Sequence, residues 1–239
     1  MSRSYGQYCG LARALDVVGD RWNLLIVRQL LVAPARYREL LDGLPGVATN
    51  LLADRLRDLE NVGVVERRLA EEGNAVTYAL TPWGAELREP IEGLIRWSTP
   101  LMVQGPAGDR FRPEWLAVAL PALLGSKVAT ERSSTVGVTV DGQQFLLRAT
   151  RSGLEVGPHD GQDLDALVRA DAAIVLGLAA GMLDLDEIRG LIDIEGDETA
   201  LRAIFNARQP DDGAPPADHN PKPGSTDPGF RLVCAPQVR

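Results

Sequence analysis

Leu52, Leu56 and Leu59 are spaced for one face of a helix and stand just after a break at Leu44-Pro45-Gly46, with a shorter helical pattern before it. Two helices across a tight turn make a helix-turn-helix unit, and the segments on either side of it can be read against that unit. Upstream, Leu11, Leu15 and Val18 fall on one helical stripe, and Asp20 is placed to cap the dense apolar segment from Arg21 to Val27, which Pro34 closes. The short helical piece covers Tyr37 to Leu41, and the longer one runs from about Ala48 to Asn61. Downstream, Gly63 ends that helix, and the strand-like runs Val64 to Arg68 and Ala75 to Leu80 are joined by Glu71-Glu72-Gly73-Asn74. Thr81 with Pro82 then opens a further helix, whose Leu87, Ile91 and Leu94 form an apolar side suited to a partner subunit.

Helix, turn, helix and hairpin in this order predict a winged helix-turn-helix. The leucine stripe turns Asn50, Asp54, Arg57 and Asn61 outward on the longer helix, and a polar face after a tight turn is what reading a DNA groove requires. Arg57, with Thr49 and Asn50, offers donor patterns that match guanine and adenine edges. Asp54 on the same face either accepts from a cytosine amino group, pairs with Arg57 or Arg55, or marks a position off the phosphates. Arg36 and Arg38 begin the short helix, where phosphate contacts are expected, and Arg67 and Arg68 are equivalent candidates on the first hairpin strand, of which only one can face DNA. Net charge argues in the opposite direction. The chain carries −8, and its first hundred residues hold 12 arginines against 13 acidic residues, so DNA contact must rest on placed arginines rather than on a bulk field. The acidic Glu71-Glu72 tip argues against insertion into a minor groove.

Cys9, the Gly19-Asp20-Arg21-Trp22 step, Arg36-Tyr37-Arg38-Glu39-Leu40, the leucine stripe and Tyr78-Ala79-Leu80-Thr81-Pro82-Trp83-Gly84 occur together in order. In this the chain resembles the HxlR family of winged-helix regulators over about residues 8 to 98. The resemblance implies a homodimer built by the first and last helices of the domain, with paired recognition helices on an inverted-repeat site in double-stranded DNA. It also makes Cys9 a candidate redox thiol, since some members of that family carry a sensing thiol there. The structural alternative for Cys9 is a small apolar residue at the dimer contact.

The stretch 104–111 is turn-forming and predicts a linker between a DNA-binding domain at 1–103 and a second domain at 112–208. Trp115 to Leu120 with Leu123-Leu124 reads as an apolar helix, bent or interrupted at Pro121. Strands follow at Thr135 to Val140, Gln143 to Ala149 and Gly153 to Val156, the first two joined by an Asp141-Gly142 turn. Five further segments, Leu164 to Ala170, Ala172 to Leu178, Leu183 to Arg189, Leu191 to Glu195 and Glu198 to Ala207, alternate helix and strand. The chain is therefore expected to be α+β. The runs Ala172 to Leu176, Ala180-Gly181 and Gly190 to Asp197 resemble the sterol carrier protein fold, which implies a curved sheet and helices around an apolar tunnel. Trp115, Leu120, Leu124, Phe145, Leu147 and Ile174 are candidates to line it, together with Leu178, Met182, Leu183, Ile188 and Ile192. At these periods the same residues can equally form a plain core. From residue 209 the chain is rich in Pro, Asp and Gly and predicts a disordered tail.

Several function classes lack material. The sequence has no Gly-rich phosphate loop, no nucleophile with a plausible histidine partner and no cluster of metal ligands, so an enzyme, a cofactor and a metal are not expected. No apolar run approaches the ~18 residues of a membrane span, and the N-terminus has no signal-like stretch, which predicts a cytoplasmic protein without a membrane partner. The expectation is a dimeric, sequence-specific regulator of transcription, controlled by an apolar small-molecule effector in its C-terminal domain. The alternative is a lipid-binding or carrier protein whose N-terminal domain mainly dimerises.

Overall fold

The structure, a computed structural model, describes residues 4–69, 75–102, 108–125, 133–151 and 153–205. The hairpin tip with Glu71 and Glu72, the first part of the expected linker, Cys234 and the expected tail lie outside the described residues.

The N-terminal region is a winged helix-turn-helix. Helices α1 (Gly10–Val18), α2 (Asn23–Val32), α3 (Tyr37–Gly43) and α4 (Thr49–Asn61) precede strands β1 (Val65–Leu69) and β2 (Val76–Leu80), and α5 (Pro82–Ala85) and α6 (Arg88–Ser98) follow. Leu52, Leu56 and Leu59 are fully buried against Ile26, Val27, Leu40 and Leu44, so the leucine stripe sets which side of α4 faces out. Ala35 pairs with Tyr78 through N–H···O bonds of 3.0 and 2.8 Å, adding a bridge to the wing and tying the turn before α3 to β2. Asp20 does not cap α2, which begins at Asn23; its carboxylate instead takes Arg55 of α4 at 2.5 Å, because a cation within reach outweighs a capping amide.

The Thr81-Pro82-Trp83-Gly84 step is explained by backbone contacts. The Thr81 hydroxyl accepts from the Gly84 amide at 3.0 Å and donates to the Gly63 carbonyl at 2.6 Å, which locks the hairpin onto α5. Gly84 packs against the Val64 carbonyl so closely that a Cβ would sit 2.0 Å from that oxygen. Only glycine fits.

The C-terminal region packs helices on a mixed sheet. A 3₁₀ turn at Pro113–Trp115 leads into α7 (Leu116–Leu124), followed by β3 (Ser134–Val140), β4 (Gln143–Thr150), β5 (Gly153–Pro158) and β6 (Ala166–Arg169). Helices α8 (Ala172–Ala180) and α9 (Leu185–Ile188), strand β7 (Asp193–Gly196) and α10 (Glu198–Phe205) complete it. The strand order is β5-β4-β3-β6-β7, with β3 and β6 parallel and the other pairs antiparallel. Positive φ at both Asp141 and Gly142 forms the tight β3–β4 turn foreseen from that dipeptide. The helix α7 continues through Pro121, because the proline's missing N–H removes only one bond of the ladder. Strict alternation fails between α8 and α9, two successive helices. Gly181 in the left-handed conformation ends α8, the Met182 amide returns to the Gly177 carbonyl at 2.8 Å, and Asp184 caps α9 by accepting from the Asp186 amide at 2.8 Å.

These two regions share apolar packing. Val118 of α7 belongs to the winged-helix core, and Ile95 of α6 packs on both cores. Around them, the Arg28 guanidinium lies 4.0 Å from the centre of the Trp115 ring, and the Trp115 indole donates to Gln29 Oε1 at 3.2 Å. Arg96 donates to the Ala122 carbonyl at 3.2 Å, and Arg112 donates to the Asp42 carbonyl. Burial pulls the Arg28 pKa down to about 10, with Glu114 opposing the shift, yet the group stays charged at neutral pH and its stacking contributes about 1–2 kcal/mol.

Candidate nucleic-acid interface

The outward face of α4 presents Thr49, Asn50, Asp54, Arg57 and Asn61, all exposed. The Tyr37 hydroxyl donates to the Thr49 carbonyl at 2.5 Å, so the start of α3 is fixed against the start of α4. Arg36 and Arg38 therefore flank the N-terminal end of α4, both exposed and neither with a carboxylate partner among the described residues. The Arg36 amide donates to Glu39 Oε2 at 2.6 Å, which places its backbone at the head of α3 and leaves the guanidinium to solvent. At the other end of α4, Arg67 binds Glu60 at 2.9 Å and lies over the Tyr78 ring, whereas Arg68 donates to Glu66 at 2.7 Å. The candidates are thus distributed along a helix of about 20 Å, close to the span of an exposed groove segment.

Pairing sorts these cations. Arg57 is held by Asp54 at 2.9 Å, with both side chains more than half exposed, so the pair contributes under about 1 kcal/mol and exchanges readily. Among the alternatives open for Asp54, the structure shows the Arg57 pair. Arg55, on the flank of the same helix, joins Asp20 and Asp58 and is drawn toward α2. Arg21 is exposed beside Asp20, without a carboxylate partner among the described residues, and is a further phosphate candidate that sequence reasoning passed over. Its signal is available only through the Asp20–Arg55 contact, which brings the start of α2 to α4.

Two apolar surfaces lie away from this face. Helix α1 exposes Leu11 and Leu15, and α6 with the turn after it exposes Leu94, Trp97, Leu101 and Met102. A cleft of about 670 Å³ runs between α1 and the α5–α6 segment, with Val17, Trp83 and Leu87 in its walls. Ile91, grouped from sequence with Leu87 and Leu94, instead belongs to the protomer's own core. Cys9 is the exposed N-cap residue of α1, and the backbone amides of Ala12 and Leu11 hold its thiol pKa below the ordinary value.

The residues considered for an apolar tunnel are spread over three settings. Leu120, Leu124, Phe145, Leu147, Leu178 and Ile188 are buried in one packed cluster, with Ile174, Leu183 and Ile192 partly buried against it. Trp115 sits at the junction with α2, and Met182 is exposed in the turn between α8 and α9. Among the described residues no group of His, Cys, Asp and Glu could hold a metal ion, and no helix is long and apolar enough to cross a membrane.

This arrangement has counterparts in known proteins. Residues 17–105 match the HxlR-like helix-turn-helix family. The chain is 35% identical over 86 residues to the HTH-type transcriptional regulator YodB of Bacillus subtilis, covering 36% of this chain and 77% of that protein. It is 36% identical over 84 residues to sll1512, an uncharacterised HTH-type transcriptional regulator of Synechocystis, covering 35% of this chain and 62% of that protein. The reduced form of YodB superposes with a TM-score of 0.36 at 31% identity, covering 41% of this chain and 99% of that one. The chain belongs to the HxlR family through its winged helix-turn-helix, and the family match ends at residue 105.

Proposed function

We propose that the protein is a dimeric, sequence-specific DNA-binding regulator of transcription that reads an inverted repeat with the paired α4 helices. The observation that carries this reading is the exposed polar face of α4 in a chain whose relatives are HTH-type transcriptional regulators. Thr49, Asn50 and Arg57 are assigned to base edges, and Arg36, Arg38 and one of Arg67 and Arg68 to phosphates. The exposed apolar faces of α1 and α6 form the dimer contact, which accounts for leucines and a tryptophan left in solvent by the single chain. Residues 112–208 form a sterol-carrier-like unit that responds to an apolar small molecule, and Cys9 serves as a thiol sensor at the dimer surface. This function needs no catalytic step.

Selection of bound fragments from genomic DNA tests the reading. The expected result is an inverted repeat with half-sites about one helical turn apart. Arg57→Ala should relax preference at one position at a cost of about 1–3 kcal/mol, whereas Arg36→Ala should weaken binding to all sequences and lower the salt slope by about one. Equal losses from both substitutions on every sequence overturn that division of roles. Binding without sequence preference favours the lipid-carrier alternative instead.

A further inference from the structure

A cleft of about 740 Å³ opens where the winged region meets the sheet, a volume that suits a small organic ligand. One wall is the end of α2, through Leu31 and Val32; the opposite wall is β5, through Leu154 and Val156, with Ala117 of α7 at the side. These surfaces are apolar, but the remaining wall, from α6, is charged. There Glu92 is only 18% exposed in its side chain, and its one ion pair among the described residues, to Arg88, is 3.6 Å long and too distant for a hydrogen bond. Arg88 itself donates to the Leu31 carbonyl at 3.2 Å, so it is shared with the end of α2. Glu114 and Glu155 also line the cleft, but Glu114 is paired with Arg112 at 3.0 Å and Glu155 with Arg148 at 3.5 Å, so Glu92 is the carboxylate the cleft leaves least satisfied. A largely covered carboxylate without a hydrogen-bonded donor is costly, and a cation supplied from outside would relieve it.

We infer that this cleft binds an amphipathic organic cation, with its ammonium-type head against Glu92 and its apolar body between α2 and β5. The inference rests on the regulatory reading above and moves the effector from the packed interior of the C-terminal region to its boundary with the winged helix. The location has a mechanical consequence. Leu31 and Val32 end α2 and lead through the short stretch 33–35 to Arg36 and Arg38, so a ligand that reorients Arg88 or spreads α2 from β5 acts on the segment assigned to phosphates. Binding that differs between DNA-competent and incompetent arrangements is all that coupling requires.

The protein should be titrated calorimetrically with dodecyltrimethylammonium, dodecyl maltoside and dodecyl sulfate, each below its micellar concentration. The cationic probe is expected to bind tightest, and Glu92→Gln should weaken it about tenfold while leaving the neutral probe unchanged. Ala117→Leu provides a second, independent variant: it adds apolar bulk to the α7 side of the cleft and should reduce binding of the cationic probe. Thermal melts identify a variant that fails to fold, and the probe comparison on the unsubstituted protein stands without either variant. Equal affinity for the three probes, or an unchanged cation affinity in folded Glu92→Gln, overturns the proposal. Operator affinity measured separately distinguishes the two readings. Cation binding that leaves DNA affinity unchanged keeps the site and removes the regulation; intact specific DNA binding with no cation preference does the reverse.

Discussion

Helices α1 and α7 are both nine residues long and rich in apolar side chains, yet α1 leaves Leu11 and Leu15 in solvent while α7 buries Leu116, Leu120 and Leu124 almost completely. The sheet region closes its own core, because a five-stranded sheet offers a wide apolar face for α7, α8 and α10 to cover. The winged region has only a two-stranded wing and a few short helices, so apolar surface remains on α1 and α6. Charge differs in the same sense. In the sheet region Arg202 closes a clamp with Asp186 and Glu198; in the winged region Arg55, Arg57, Arg67 and Arg68 are likewise paired, but Arg21, Arg36 and Arg38 remain open to solvent. One region covers its apolar faces, and the other leaves apolar side chains and three arginines exposed.

The largest test of this contrast is core truncation. Leu147→Ala in the sheet region and Leu56→Ala in α4 should each cost about 3 kcal/mol in chemical denaturation. Because Val118 and Ile95 join the cores, both variants should lower one common transition; two transitions, with only one displaced, would make the regions independent.

Surface substitution probes the other half of the contrast. Leu11→Ser with Trp97→Ser should change the stability of the protomer by no more than about 0.5 kcal/mol per site but shift sedimentation from dimer to monomer. Strong destabilisation of the protomer would mean that these side chains serve the fold rather than a partner.

Smaller effects come from titrating groups. Cys9, whose thiol pKa is held down by two backbone amides, should alkylate with iodoacetamide at a lower pH than free cysteine, since the thiolate persists further down the scale. A reaction profile matching free cysteine would remove its candidacy as a sensor. The smallest shift belongs to the α9–α10 clamp, where Arg202 holds the carboxyls of Asp186 and Glu198 below their ordinary range. Folded-state values lower than unfolded ones give stability that is present above the unfolded pKa and is lost as pH falls through the folded values. Asp186→Asn should therefore lower the Tm slightly at pH 7 and not at pH 2.5, with Tm followed by circular dichroism.

Much of the winged region was legible because its signals are local. The leucine stripe, the Thr81-Pro82 cap and the break at Pro45-Gly46 each act within a few residues, and the element order follows from them. The sheet region was less legible. Ala166–Arg169 is an interior strand of only four residues, and the passage from α8 to α9 depends on the left-handed Gly181, a backbone choice that periodicity does not record. The site was legible as a list of arginines but not as a set of charges, since carboxylate partners decide which are available.

The sequence by itself determined the order of helices and strands and the side of α4 that faces outward, because period and capping are properties of neighbouring residues. Tertiary structure decided which cations are free and where the two regions join. Asp20 and Arg55 are 35 residues apart and Gln29 and Trp115 are 86 apart, so no periodicity links them. Such contacts depend on chain closure over long loops, and their energies arise only once the intervening core has packed.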